Sequence, residues 1–480
     1  MLKAKIRPHG GIHPDSHKLL SSEVSIRPLA NPKRLILPLR QHAGAPATPV
    51  VTLGDRVSAY QLVAKANGRF SMPIHSPLSG EVSGVTEQSI IIKVDAEQQG
   101  SATPLNRDIS LLDRQAMIDL VAQAGIVGMG GAMFPTADKL KLSLQHDITT
   151  LIINGSECEP YLTCDDRLMR EQGELILGGL RYMMQMTGAT QAYIGIEANK
   201  PEALERMDAL CADESNIDVV ELPALYPMGS EKQLIEAVTG LQVPSGKLSA
   251  ELGILVQNVA TCIAVFSTLR FGRPLTHRVI TVSGEAIEQP GNVLAPIGMP
   301  VSEIIAQCGG LKSTPSRIVL GGPMMGRAIT DVHSPVTKGT SGILLLTESE
   351  VPEAKPSACV RCGRCVGACP MGLTPLEMVN ELKRDQFDNA SQMGLSDCLL
   401  CGSCAYVCPA AIPLTEYFDW GKQVLNRRRL EAQKTKRTCA NSAARKERME
   451  REAAEREAAK AAKAAASPRR SSRRSEQEAS

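Results

Sequence analysis

Eight cysteines define the chemistry that this sequence allows. Cys359, Cys362, Cys365 and Cys369 run into Pro370 as C-x2-C-x2-C-x3-C-P, and Cys398, Cys401, Cys404 and Cys408 run into Pro409 with the same spacing. Three thiolates this close together can hold three irons of a [4Fe-4S] cube, which leaves the fourth iron to a more distant Cys. Gly363 and Gly402 stand at matching places, where a bulky side chain would crowd a loop that aims successive sulfurs into one cavity. Structural zinc is the weaker reading, because it usually takes two separate C-x2–4-C knuckles. A disulfide framework is weaker still, since nothing at the N-terminus resembles a secretory signal.

The two runs carry the signature of two-cluster ferredoxins, in which the fourth Cys of each run ligates the other cluster. The expected sets are therefore Cys359, Cys362, Cys365 with Cys408, and Cys398, Cys401, Cys404 with Cys369. Helices should flank these loops. Thr374-Pro375-Leu376-Glu377 reads as a capping box with Pro at the first helical position, and residues 414–420 read as a second short helix. The module resembles an α-helical ferredoxin, a wire that takes electrons in at one end and releases them at the other.

The remainder of the chain limits what such a wire can serve. Its 480 residues leave room for three or four domains. Of 14 Cys, the six outside the runs show no pairing pattern, which points to a reducing, cytoplasmic setting. A formal charge of +2 argues against a nucleic-acid partner. No stretch reaches the roughly 18 apolar residues of a membrane span; the best candidate, residues 254–269, is interrupted by Gln257 and Asn258.

The first hundred residues are rich in Pro and Gly with short β-branched runs, as small sheets joined by turns require. Gly54-Asp55-Arg56-Val57, Gln61 and residues 73–82 resemble the sandwich of lipoyl and biotin carrier domains, without a modifiable Lys at the hairpin tip. His75 reads as a turn residue there, not a ligand. From about Asp113 apolar strands such as residues 151–153 and 192–196 alternate with helical patterns such as residues 116–124 and 174–186, which predicts an α/β domain with a mostly parallel sheet. This domain holds a Gly-rich loop over residues 125–136, with Lys139 close behind. Such a loop opening a helix lets backbone N–H groups approach a phosphate, and the Lys adds a charge. A bare turn is the competing reading.

In order along the chain, this loop, Asn154-Gly155-Ser156-Glu157-Cys158-Glu159-Pro160, Gly229-Ser230-Glu231 and Gln257-Asn258-Val259-Ala260-Thr261 resemble the FMN- and NADH-binding motifs of the flavoprotein subunit of respiratory complex I. Joined to a double-cluster ferredoxin, residues 5–425 resemble the RnfC/RsxC members of the Rnf/Rsx ion-translocating electron-transport complexes. The resemblance implies that Gly128, Gly130, Gly131 and Lys139 hold the phosphate of non-covalent FMN. It places Asn154, Asn258 and Thr261 along the flavin, and Glu157 and Glu231 near the nucleotide. Met129, Met133 and Ser156 depart from the complex I pattern, which usually has Arg, Gly and Asp there. The reading of Glu157 and Glu231 as solvated loop carboxylates stays open.

Residues 278–284 open a β-rich segment with Pro290-Gly291-Asn292 as a turn and a helix start near Pro300, similar to the β-grasp (SLBB-like) domain that follows the flavin domain in complex I. Gly321-Gly322-Pro323-Met324-Met325-Gly326 reads as an architectural turn with no charged neighbour but Arg327. Residues 445–466 suit a solvent-exposed helix with Glu447–Arg451 and Glu452–Arg456 spaced i,i+4, and residues 467–480 a disordered, solvated tail. The expected organisation is multidomain α/β. It comprises a β-sandwich over 1–105, a Rossmann-like flavin domain over 106–275, a β-grasp domain over 276–345, a ferredoxin domain over 346–425 and a charged tail over 426–480.

The function expected is that of a peripheral subunit at the cytoplasmic face of a bacterial inner membrane. It would pass electrons between NAD(H), FMN and two [4Fe-4S] clusters, with integral membrane, flavin and iron-sulfur subunits of an Rnf/Rsx-type complex as partners and ferredoxin as a further one. A flavin is required because a hydride carries two electrons and a cube accepts one. The rival readings are an adaptor relaying electrons without a nucleotide site, and a soluble flavin reductase, for which no acid/base constellation stands out.

Overall fold

The computed structural model describes residues 1–98, 108–109, 111–351 and 354–466. The expectation for residues 467–480 lies outside them. Near the N-terminus, strands Arg34–Pro38, Ser89–Val94, Gly80–Val85 and Arg56–Val57 form one antiparallel sheet, and Thr48–Pro49, Leu62–Lys65 and Ile74–His75 form a second. Alternation makes the sandwich core: Leu35 and Leu37 point inward to meet Val82, Ile90 and Ile92, all fully buried. His75 sits in a strand and not in a turn, and its burial, with Lys338 nearby, pushes it down to about 4.

Two strands from the first thirty residues leave the sandwich. Leu2–Lys3 pairs in parallel with Ile217–Leu222, and Arg27–Pro28 with Gly291–Pro296, so the N-terminal segment ties the next two sheets together. On this segment Lys18 spans the gap. Its ammonium donates to the carbonyls of Glu157 and Glu159, both at 2.9 Å, and of Leu162.

The central sheet is wholly parallel, in the order Leu2–Lys3, Ile217–Leu222, Gln191–Glu197, Thr150–Gly155, Ile254–Asn258. Such a sheet has to be covered on both faces. Helices α1 (Arg114–Gln123), α2 (Thr136–Leu140), α3 (Cys164–Thr187), α4 (Pro201–Leu210), α5 (Glu231–Thr239) and α6 (Val259–Phe271) supply the cover. Most pack into the main core, while α5 buries Leu234, Ile235, Ala237 and Val238 against Ile152, Val220 and Val256 in a separate one. Gly178 and Gly179 let α3 cross close to α6, since a Cβ at Gly179 would stand 2.0 Å from the Cys262 carbonyl oxygen.

The β-grasp region is a six-stranded mixed sheet with α7 (Val301–Gln307) packed through Val301, Ile304 and Ile305. The cysteine module follows with α8 (Arg364–Ala368), α9 (Pro375–Lys383), α10 (Phe387–Gln392), α11 (Ser403–Tyr406) and α12 (Leu414–Ala466). Its core joins Met378, Leu382, Phe387, Leu395 and Phe418.

Three local expectations change here. Thr374 precedes α9, with Pro375 at the first turn, but its side chain makes no capping hydrogen bond. The short helix at residues 414–420 and the exposed helix at 445–466 are one 53-residue helix, α12. Nothing after Gly421 in α12 is Pro or Gly, so no residue type stops it. Its i,i+4 ion pairs are Lys446–Glu450 and Arg448–Glu452, a different register from the expected one. From Asn426 onward its described side chains are exposed.

Candidate functional site

In the central sheet the chain runs outward from Thr150–Gly155 through Gln191–Glu197 to Ile217–Leu222, then returns to place Ile254–Asn258 on the other side. That reversal opens a crevice at the carboxyl ends of Thr150–Gly155 and Ile254–Asn258, where open α/β sheets take ligands. Asn154 and Asn258 stand there as register partners.

Most of the residues expected along the flavin gather around this crevice. The Gly-rich loop leaves α1 through Gly125, whose φ of +68° suits glycine, and closes where Gly128 N–H donates to the Phe134 carbonyl at 2.8 Å. Between these points Gly130 and Gly131 are exposed. A Cβ on Gly130 would lie 3.6 Å from that of Asn258, and one on Gly131 would meet nothing within 4 Å, so the loop presents bare backbone beside Asn258. Met129 N–H donates to the Thr261 hydroxyl at 3.1 Å, which ties the loop to the first turn of α6. Asn154 donates to the Gly229 carbonyl at 2.8 Å, and two residues later Glu231 forms a 2.8 Å ion pair with Lys139. The Thr136 hydroxyl, at the start of α2, is buried without a partner. Bare glycine backbone on the loop, with a lysine and an unpaired buried hydroxyl on the helix it opens, fits the phosphate end of a flavin nucleotide.

Glu157 is not a solvated loop carboxylate. It accepts from the backbone N–H of Asp165 at 2.7 Å and of Asp166 at 3.1 Å, closing the start of α3. Asp165 in turn accepts from Asn258 Nδ2 at 2.6 Å. Burial and the neighbouring Glu157 push Asp165 up to about 7, against the pull of that amide.

Several buried charges that sequence reasoning missed hold these loops. Arg278, 3% exposed, donates through Nη2 to the Met129 carbonyl at 2.6 Å and through Nη1 to the Lys338 carbonyl. Lys338, 1% exposed, donates to the carbonyls of Gly125 at 2.7 Å and Pro73 at 2.8 Å, pinning the glycine loop to the sandwich. Glu159 accepts from Met324 and Met325 N–H at 3.0 and 2.9 Å, and burial still pushes it up to about 7. The turn at residues 321–326 therefore has a charged neighbour besides Arg327. The only local signal for Arg278 was a charge inside an apolar strand, and for Glu159 its place in the motif at 154–160; for Lys338 there was none.

The two cysteine runs fold alike. Arg361 and Leu400 have φ of +53° and +56°, and Gly363 and Gly402 have +72° and +81°, each Gly preceding a short helix. Cys369, Cys398, Cys401 and Cys404 line a single cavity, with Leu373 and Phe418 among its walls. Burial, then the thiols of Cys398, Cys401 and Cys369, push Cys404 up, so these sulfurs need a cationic centre before they can all ionise. Leu373 N–H donates to Cys369 Sγ at 3.4 Å. Cys408 lines a separate cleft beside Arg364 and Ala368 at the two ends of α8, the helix that carries Cys365. Cys359 and Cys362 are exposed. Four soft thiol donors around one cavity, with backbone N–H groups turned to sulfur at Cys359 and Cys369, fit an iron-sulfur cluster.

Comparison with known proteins agrees with this layout. Residues 6–99 match the RnfC barrel sandwich hybrid domain, 121–267 the Nuo51 FMN-binding domain, 279–328 the SLBB domain and 358–412 the 4Fe-4S dicluster domain. The C component of the ion-translocating oxidoreductase complex of Rhodobacter capsulatus is 48% identical, over 87% of this chain and 83% of that protein. Its counterpart in the proton-translocating ferredoxin:NAD(+) oxidoreductase complex of Clostridium ljungdahlii is 41% identical over 80% and 86%. The counterpart in the Na(+)-translocating ferredoxin:NAD(+) oxidoreductase complex of Acetobacterium woodii is 40% identical over 81% and 90%. Among the described residues no helix is long and apolar enough to cross a membrane. The chain belongs to the RnfC family of ion-translocating oxidoreductase complexes, as an electron-transfer subunit with an FMN-binding domain and a 4Fe-4S dicluster domain.

Proposed function

We propose that this subunit is the electron-input arm of its complex, passing electrons between NAD(H) and membrane partners through FMN and two [4Fe-4S] clusters at the cytoplasmic face of a bacterial inner membrane. The observation that carries this reading is the convergence of Gly130, Thr261, Asn258 and Asn154 at the crevice of the parallel sheet, in the same chain as the four-cysteine cavity. When bound, FMN supplies the exchange between a hydride's electron pair and single electrons. The chain's own groups do the rest. Backbone at Gly128, Gly130 and Gly131 with Lys139 holds phosphate, Asn154, Asn258 and Thr261 orient the ring, and Glu157 and Glu231 lie near the nicotinamide nucleotide.

We assign Cys369, Cys398, Cys401 and Cys404 to one cluster and Cys359, Cys362, Cys365 and Cys408 to the other. The shared cavity of the first set supports this, as does the position of Cys408 against α8. The exposure of Cys359 and Cys362 supports reading the second cluster as the exit toward partner subunits, both integral membrane ones and those carrying flavin or iron-sulfur centres. Ferredoxin, part of the names of two relatives, is the further redox partner.

Anaerobic purification should yield about eight irons with matching sulfide and one releasable flavin per chain. NADH should bleach the flavin before the clusters, and carbonate should strip the protein from membranes. The adaptor reading retains one observation in its favour: Glu231 already neutralises Lys139. Full NADH oxidation by a flavin-free preparation would reject the flavin route.

A further inference from the structure

We infer that the first turn of α5, with Tyr226 just before it, is the positioning element that fixes the distance between the flavin crevice and the cavity of Cys369, Cys398, Cys401 and Cys404. This inference rests on the cofactor assignments proposed above. Three consecutive residues of the turn reach three different places. Glu231 pairs at 2.8 Å with Lys139 of α2, the helix that follows the glycine loop, and its other oxygen accepts from the Ser249 hydroxyl at 2.6 Å. Lys232 pairs with Asp397, the residue before Cys398, at 3.1 Å. Gln233, 4% exposed, donates to the carbonyl of Pro370, the residue after Cys369, at 3.1 Å, while its own oxygen accepts from the Ser230 hydroxyl.

Tyr226 completes the set. Its phenol, on a side chain 2% exposed, donates to the carbonyl of Cys401 itself at 2.7 Å. Three of the four cysteine positions around the cavity are thus held from the flavin-domain side, whereas Cys359 and Cys362 of the other ligand set are exposed. The apolar junction beneath these contacts is small, built on Ile12, Tyr226, Ala368 and Cys401. Apolar contact of that size allows sliding, but directional hydrogen bonds fix register. A helical turn is also rigid, so a shift at the glycine loop and a shift at the cysteine loop cannot occur independently. Electron transfer between two buried centres weakens steeply with their separation, so a clamp on both ends acts on rate without touching either centre.

The test uses full-length protein purified anaerobically with its cofactors. Lys232→Met and Gln233→Leu should leave iron and flavin content unchanged, yet raise hydrogen exchange across residues 397–404. They should also alter the electron paramagnetic resonance line shape of the cluster in that cavity, and lower the rate at which NADH-derived electrons reach it by about tenfold or more. Lys232→Arg, which keeps the pair with Asp397, should restore the rate. If buried Gln233→Leu fails to fold, Lys232→Met carries the test, because the Lys232 side chain is 24% exposed. Wild-type protein lacking flavin or half its iron would overturn the functional reading and this inference with it. Wild-type protein with both cofactors, and variants with unchanged rate and exchange, would overturn the positioning role alone.

Discussion

Lys139 and Glu231, 92 residues apart, meet at 2.8 Å between α2, the helix that follows the glycine loop, and the first turn of α5. Burial would raise the Glu231 carboxyl, but the Lys139 charge and the Ser249 hydroxyl together hold it below the usual carboxylate range. A phosphate arriving at the loop has to share this lysine with a carboxylate.

Lys139→Met should therefore weaken FMN binding to the flavin-depleted protein by about ten- to a hundredfold, the worth of one charge-assisted hydrogen bond. Glu231→Gln should leave FMN affinity equal or higher, since it frees the lysine, while raising KM for NADH. Fluorescence titration with FMN reads the first and steady-state kinetics the second; equal losses of FMN affinity in both variants would reduce the pair to a structural role.

Gly130→Val separates the flavin from the clusters. Gly130 is outside the left-handed region, and its added Cβ meets only Asn258 at ordinary contact distance, so the fold should survive. The branched methyls would fill the space beside Asn258, and flavin retention should fall to near zero with iron still at about eight per chain. Gly131→Val makes a poorer probe, because Gly131 has φ +117°. Retained flavin in the Gly130 variant would place the nucleotide elsewhere.

Cys369→Ser should remove the cluster held by Cys398, Cys401 and Cys404, taking iron from about eight to about four per chain. All four thiols line the same cavity. If resonance signals instead show loss of the cluster at Cys359, Cys362 and Cys365, the crossing is wrong.

Asp165 predicts a pH dependence. Burial and Glu157 raise it to about 7 in the folded chain, against about 3.9 unfolded. The folded state binds the extra proton between those values, so this contribution to stability is complete below about pH 4 and is lost as pH rises through 7. Asp165→Asn keeps an oxygen to accept from Asn258 and should gain on the order of 1 kcal/mol at pH 8 with little change at pH 4. Thermal melts at both pH values check the sign, and a variant less stable at pH 8 contradicts it.

Ending the chain at Arg429 should leave stability within about 0.5 kcal/mol of the full-length protein. Val424 and Leu425 still pack on the cysteine module and Arg428 lies 4.8 Å over the Phe387 ring, whereas described residues from Leu430 onward in α12 are exposed. Calorimetry together with iron and flavin content tests this, and a lost cofactor would show that the distal helix does bear on the fold.

The sequence alone determined what is local. Each cysteine run is a stretch of eleven residues whose spacing dictates its donors, and Gly363 and Gly402 mark the left-handed turns that its loop needs before the short helix. Strand and helix periods, read over windows of a few residues, showed where an α/β region begins, and the cysteine runs with the motifs at 125–136, 154–160, 229–231 and 257–261 carried the family resemblance. Tertiary structure decided what depends on residues far apart. It brought Lys139 to Glu231, Arg278 to the Met129 carbonyl, Lys338 to Gly125 and Glu159 to the turn at Met324, and it paired two N-terminal strands with sheets more than two hundred residues away. It also left Thr374 without its capping bond and ran two expected helices together as α12. A buried charge carries no mark of its partner in the surrounding residues, because the partner is selected by desolvation and hydrogen-bond geometry only after the chain has packed.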